Sequence, residues 1–173
     1  MDSAADTASP LNDPNIGKII AAAVGIAQKK AGKNADEAPL ARFIQQFYQG
    51  SPPDDLKART PEALYTAAAA AWAFVQPRKA GTPKIEIAAR ADKQRTVILV
   101  ANDDMPFLVD SVSCELERMD APPQLVIHPI LMTRRSVDGE LIELLPDAID
   151  GVQGTAESLM HIEIPLHTDE EDV

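Results

Sequence analysis

Cysteine is almost missing from this chain: Cys114 is the single thiol. No internal disulfide can form, and no paired-cysteine zinc pattern exists. Aromatic residues make up only 4% of the sequence, so the core is expected to rest mainly on Ile, Leu, Val and Ala. Long apolar runs are lacking too. The alanine-rich stretch from Ala67 to Phe74 is too short and too weakly apolar to span a bilayer, and no secretory h-region is evident. Positive charge is scarce, with 16 Lys and Arg against 27 Asp and Glu, a net charge of -11. Such a surface repels phosphate, which argues against nucleic acid and anionic membrane as partners. Together these absences predict a cytoplasmic chain in a reducing compartment.

The fingerprints of common chemistry are also wanting. No GxGxxG follows a strand, no Gly-rich loop could cradle phosphates, and no GxSxG is found. His128, His161 and His167 match no compact metal spacing. The expectation is that His128 and His161 are hydrogen-bonded sheet residues. Cys114 reads as a small buried helical residue whose one basic neighbour at helical spacing is Arg118, so a nucleophile is not expected. Arg134 and Arg135 read as a solvated strand end. Asp110 is expected near the buried edge of its helix, where it would need a donor.

What is present is a balanced globular composition, 45% hydrophobic and 25% charged over 173 residues. Residues 1–12 are small and polar and read as a disordered leader. Residues 13–80 read as a helical segment. Asp13-Pro14 caps a first helix with Ile16, Ile19, Ile20, Ala23, Val24 and Ala27 on one stripe, ended by Gly32. A second helix is expected from Asp36 to Gln49, stopped by Gly50-Ser51-Pro52-Pro53. After a turn at Asp55-Leu56, Thr60-Pro61 caps a third helix that closes at Pro77. These apolar stripes need cover from one another, from the following sheet or from a partner chain.

Residues 81–173 change character. Lys84-Ile85-Glu86-Ile87 alternates as a half-buried strand, and Thr96 to Ala101 is a strand buried on both faces. Asn102 to Pro106 reads as a tight loop before a helix running to about Met119. Leu125 to Arg134 is a strand in which Pro129 demands an edge or a bulge. Asp138-Gly139 is a hairpin turn signal and Glu140 to Leu145 the returning strand. Pro146 to Thr155 reads as a loop. Leu159 to Ile164 alternates Met160, Ile162 and Ile164 against His161 and Glu163. Residues 167–172 look like the cap and first turn of another helix. The order strand, helix, strand, strand predicts an α+β fold: N-terminal helices, then an incomplete ferredoxin-like βαββ sheet with one packed helix, truncated at its C-terminal end. A second helix and a fourth strand would complete it.

Asn102-Asp103-Asp104-Met105-Pro106-Phe107-Leu108 resembles the strand-to-helix signature of ACT domains. The resemblance implies an amino-acid effector site there: amide N–H groups at the helix start would take a carboxylate, and Asn102 an amino group. The competing reading for Asn102, Asp103 and Asp104 is a helix cap plus a solvated turn, and two aspartates would repel a carboxylate. The stretches FIQQFYQGSPPDDLKARTPEALY, DDMPFLVDSV, LVIHPIL and ESLMHIEI further resemble, in order, the N-terminal region of the large bacterial NAD-specific glutamate dehydrogenases. That resemblance implies a regulatory and assembly region without catalytic residues. The parent enzyme would oxidise L-glutamate with NAD, a cofactor bound outside this chain. Partners would be the remainder of the same polypeptide and further copies in a homo-oligomer, contacting the strand around Leu125 to Arg134 and the ACT helix. The rival reading is a stand-alone amino-acid-binding or protein-interaction ACT-like module, supported if the reading frame stops at Val173. A small ferredoxin-like enzyme is the weakest alternative, because no catalytic groups converge.

Overall fold

The computed structural model describes residues 13–32, 39–89, 95–146 and 154–166. The chain forms two compact units that divide between Ala73 and Phe74. The expected leader, the start of the second helix at Asp36, most of the 146–155 loop and the acidic stretch from His167 lie outside the described residues.

The first unit is helical. Helix α1 (Pro14–Ala31) opens as its sequence requires: Asp13 Oδ1 accepts from Asn15 N at 2.9 Å and Ile16 N at 3.3 Å. It ends at Gly32, whose φ of 75° favours glycine. Helix α2 (Pro39–Tyr48) buries Phe43, Ile44, Phe47 and Tyr48. The expected turn at Asp55-Leu56 is a short helix, α3 (Pro53–Lys57), with Leu56 buried. Helix α4 (Pro61–Val75) crosses into the second unit, and Thr60 Oγ1 caps it through Ala63 N. The few aromatics are concentrated in this unit. The Phe43 ring lies 5.3 Å from Phe47 and 5.1 Å from Trp72, and Phe47 meets Tyr48 edge-on at 4.9 Å. A low overall aromatic content therefore hid a local aromatic cluster.

The second unit is a six-stranded antiparallel sheet with one helix. Its strands are β1 (Lys84–Ala89), β2 (Arg95–Asp103), β3 (Leu125–Ile127), β4 (Ile130–Arg135), β5 (Leu141–Leu144) and β6 (Thr155–Pro165), with helix α5 (Leu108–Arg118) between β2 and β3. The order is β1-β2-β6-β4-β5, and β3 also pairs with β6. This is an α+β, ACT-like arrangement. The strand expected from Leu125 to Arg134 is split at His128-Pro129. Both halves pair with β6, and only β4 is flanked on its other side, by β5. Proline cannot donate to a ladder, so the chain breaks there, while the Pro129 carbonyl still accepts from Leu159 N at 3.1 Å.

One face of the sheet packs under α5. Ile98, Val100, Met160, Ile162 and Ile164 form its core with Ala121, and Leu108, Val109, Val112 and Leu116 of α5 lie against them. The other face carries Leu99, Ala101, Leu125, Ile127, Leu131, Leu144 and Leu159, all buried. Strand β6 is thus buried on both sides, so the expected alternation fails: His161 is 3% and Glu163 1% exposed. Glu163 is held by Arg95 at 2.8 Å and by His161 Nε2 at 3.4 Å. Conversely, Ile85 and Ile87 of β1, expected to be half-buried, are exposed. Cys114, expected to be buried, and Asp110, expected near the buried edge of its helix, are also exposed on α5.

A buried ionic cluster joins the strands at the other end of β6. Glu157 Oε1 accepts from Thr133 Oγ1 at 2.8 Å and Arg135 Nε at 2.6 Å. Its Oε2 accepts from Arg78 Nε at 3.1 Å and Arg135 Nη2 at 2.8 Å. Arg135 spends its remaining donors on the carbonyls of Val75, Gln76 and Gly139. Arg78 reaches Asp103 and the Thr82 carbonyl, and Asp103 Oδ2 takes Gly81 N at 2.9 Å. Two guanidinium groups thus face two carboxylates, and the cluster is neutral. Arg135 is therefore not the solvated strand end that its sequence position suggested. Arg134 is exposed and pairs with Glu143. Burial alone would raise the Glu157 pKa, but bonds from Arg135, Arg78 and Thr133 outweigh it and hold the carboxyl below the usual range.

The Asp138-Gly139 turn closes against this cluster. Gly139 has φ 91°, and a Cβ there would lie 2.7 Å from the Arg78 carbonyl oxygen. Gly139→Ala should therefore cost more than about 1 kcal/mol in urea unfolding, through both backbone strain and that clash. Glu157→Gln should cost about 3–5 kcal/mol, because buried Arg135 loses its carboxylate partner and Arg78 is left with Asp103 alone. The pH dependence has a defined sign. The folded pKa of Glu157 is depressed, so its stabilisation is complete above the ordinary glutamate value of about 4.3 and lost as pH falls through the lower folded value. Unfolding midpoints measured from pH 6 downward should fall less steeply for Glu157→Gln than for the native chain.

Candidate functional site

The candidate site is the junction of β2 and α5. Asn102 and Asp103 lie on β2 itself, so the connecting loop is shorter than the sequence suggested and runs from Asp104 to Phe107. Asn102 and Asp103 alternate across the sheet. Asn102 faces the α5 side and pairs in register with Ser158, while Asp103 pairs with Glu157 on the opposite side. The two residues therefore do different work. Asp103 belongs to the buried ionic cluster. Asp104 is exposed, and its amide donates to the Ala156 carbonyl at 3.0 Å.

Neither Asn102 nor the aspartates cap α5. The residue at the cap position is Phe107, in the left-handed conformation (φ 65°, ψ 11°), with no side-chain cap. Such a conformation is costly for a bulky residue. It leaves the Phe107 ring 76% exposed beside a half-exposed Met105. The first-turn amides of α5 remain open to an anion or carboxylate, and the positive end of the helix dipole lies there. Pro106 and Met105 form the turn, and Leu108 is partly buried under the helix. The expected cap-and-turn alternative thus fails for Asn102 and Asp103, and only Asp104 remains a solvated turn residue.

The fold adds two residues that sequence reasoning did not bring to this site. Ser158, fully buried on β6, accepts or donates at 2.8 Å with His128 Nε2. His128 stands in the break between β3 and β4, where the Asp104 charge acts on it. No spacing could have revealed this group, since residues 102, 128 and 158 meet only through strand pairing. Partial burial pushes the His128 pKa down, and Asp104 opposes this only in part. The arrangement offers a hydrogen-bonding rim (Asn102, Ser158, His128), one free carboxylate (Asp104), open helix amides and two exposed apolar side chains. It presents polar groups and one carboxylate at the surface, with Ser158 and His128 already hydrogen-bonded to each other. Among the described residues, no group of three or more His, Cys, Asp and Glu is placed to hold a metal.

The Asp104–His128 coupling is measurable. Asp104→Asn removes the attraction that favours the imidazolium, so the His128 midpoint, already below about 6.5, should fall further. Ring-proton NMR titration checks this, and an unchanged midpoint would separate Asp104 from the rim.

Comparison with known proteins agrees with this geometry. Residues 43–173 match the family described as the glutamate dehydrogenase ACT1 domain. The chain is 32% identical over 129 residues to an NAD-specific glutamate dehydrogenase of Pseudomonas aeruginosa, covering 70% of this chain and 8% of the relative. It is 30% identical over 138 residues to the enzyme of that name from Halomonas elongata, covering 76% of this chain and again 8% of the relative. The chain therefore spans less than a tenth of the length of the relatives it matches. No solved structure matches it. A sheet of ACT-like order, an open helix start after its second strand and a family match over most of the sequence agree: this chain belongs to the glutamate dehydrogenase ACT1 domain family.

Proposed function

We propose that the chain is the N-terminal regulatory and assembly region of an NAD-dependent glutamate dehydrogenase. The whole enzyme would oxidatively deaminate L-glutamate to 2-oxoglutarate and ammonia, passing hydride to NAD in the cytoplasm. The chain itself holds no catalytic residues and no NAD site in this reading. The observation that carries it is the match of residues 43–173 to the glutamate dehydrogenase ACT1 domain, with relatives of whose length the match covers 8%. Supporting it, no dinucleotide fingerprint exists in the sequence, and no described helix is long and apolar enough to cross a membrane. The ACT-like unit would take an amino acid at Asn102 to Leu108. Its carboxylate would meet the α5 amides, and its amino group Asp104 and Asn102. The remainder of the polypeptide and further copies of the enzyme are the proposed partners.

The neutralisation of Asp103 by Arg78 removes one of the two charges that would repel a carboxylate ligand. Asp104 then becomes an attraction for the ammonium group rather than a penalty. Calorimetric titration with the common amino acids should show one of them binding, with affinity lost on Asp104→Asn or Asn102→Ala. The purified 173-residue chain should show no glutamate-dependent NAD reduction. Turnover by the chain would refute its non-catalytic role, and absence of heat with every amino acid would leave assembly as its only task.

A further inference from the structure

Helix α4 reaches its end without a stop signal of its own. Its last turn holds no basic residue, and Gln76-Pro77 follows it instead of a glycine. The last carbonyls of a helix have no partner within it and carry the negative end of its dipole. Here the sheet unit supplies the partners. Lys84 Nζ, at the start of β1, donates to the Phe74 carbonyl at 2.6 Å and to the Pro77 carbonyl at 3.1 Å, and lies 4.7 Å from the centre of the Phe74 ring. Arg135 donates to the Val75 and Gln76 carbonyls, each at 2.8 Å. Two cations that are remote in sequence therefore cap this helix end.

Between that cap and β1 the chain runs as a strap, residues 76–83. Its first part pairs with the hairpin turn: Leu141 N donates to the Gln76 carbonyl and Arg78 N to the Gly139 carbonyl, both at 3.0 Å, on either side of a Pro77–Glu140 bridge. Residues 79–83 are exposed, so polar anchors rather than apolar burial hold them. The anchors are Arg78, which bonds Asp103 and the Thr82 carbonyl, and Asp103 Oδ2, which takes Gly81 N. Backbone that is exposed and weakly packed opens at the low end of a fold's local stabilities. Within the ionic cluster the Arg78, Glu157 and Arg135 side chains are at most 8% exposed, whereas Asp103 is 36% exposed. Asp103 is therefore the member that solvent or a ligand can reach.

We propose that residues 76–83 are a strap locked by Asp103, through which the end of β2 controls the capping of α4. With the lock closed, Arg78 and Gly81 hold the strap, and the carbonyls of Phe74 to Pro77 stay within reach of Lys84 and Arg135. With it open, strap and cap loosen together while β2 and β6 remain paired. Asp103 adjoins Asn102 and Asp104, so the strap carries the state of the β2–α5 junction to the last turn of α4. That use rests on the reading of the junction as an amino-acid site; the lock itself does not.

The test is amide hydrogen exchange, read residue by residue in the 173-residue chain. Asp103→Asn weakens the acceptor for Gly81 directly. It should speed exchange about tenfold not only there but also at Arg78, Leu141 and Val75, leaving Leu99 and Ile162 slow. Asp103→Glu keeps the charge and should restore most of the protection. Lys84→Met opens the cap from the other end and should speed Gly81 and Arg78 by a similar factor, because coupling is reciprocal. Acceleration confined to Gly81 in the first variant, confined to Phe74 and Val75 in the last, or spread evenly over β2 and β6 would overturn the lock. An amino acid that gives heat in calorimetry should change exchange at Leu141 and Val75 of the native chain. Heat without that change overturns the route from junction to α4. Absence of heat with every common amino acid removes the route together with the reading it rests on, and the two variants still decide the lock.

Discussion

A single buried carboxylate organises the sheet unit. Glu157 lies in the middle of the sheet at 3% exposure and accepts four hydrogen bonds from three side chains. An unpaired charge at that depth would cost several kcal/mol. Two arginines from different segments of the unit answer it. Arg78 brings in the segment ahead of β1, and Arg135 brings in the end of β4. The consequences spread by hydrogen bonding. Arg78 fixes Asp103 at the end of β2, which sets where the strand stops and where the loop to α5 begins. Arg135 ties the hairpin turn at Gly139 to the Val75 and Gln76 carbonyls. The cluster and the candidate site thus share the end of one strand, with Asp103 on one face and Asn102 on the other.

Much of the architecture was legible in the sequence because local chemistry and global packing agree there. Asp13-Pro14 and Gly32 bound a helix by capping rules that need no tertiary help. The β-branched run at Thr96 to Ala101 could only be a central strand, and Asp138-Gly139 only a tight turn. Pro129 announced a fault in its strand correctly, but its form, a break between two pieces on one neighbour, depends on β6. Where charge meets burial, the sequence misled. Glu157, Glu163, His161 and Arg135 are polar types at buried positions. Each is admitted by a partner brought in by the fold: Arg135 is 22 residues from Glu157, and Arg95 is 68 from Glu163. The reverse error occurs at β1, where the apolar members of an alternating pattern, Ile85 and Ile87, are exposed.

The candidate site shows the same division. The strand-to-helix signature pointed to the junction of β2 and α5, where the helix starts without a side-chain cap. The roles within it were not legible. Asp103 and Asp104 are neighbours of identical chemistry, yet one is spent on Arg78 and the other faces solvent beside His128. The strand pleat makes that separation, and register decides it. His128 and Ser158 enter through pairing alone. The strained Phe107 at the helix start replaces the expected polar cap, and no side chain closes that end of the helix.

The organising role of the Glu157 cluster is best tested by a double-mutant cycle on Arg135→Met and Glu157→Leu, read as unfolding free energies in urea. Removing both charges leaves Arg78 balanced by Asp103, so the paired substitution should be much less damaging than the sum of the singles. The account predicts a coupling of several kcal/mol, of the size found for buried pairs broken on one side. Single effects that add to within about 0.5 kcal/mol would contradict it, and would reduce the cluster to independent surface-like contacts.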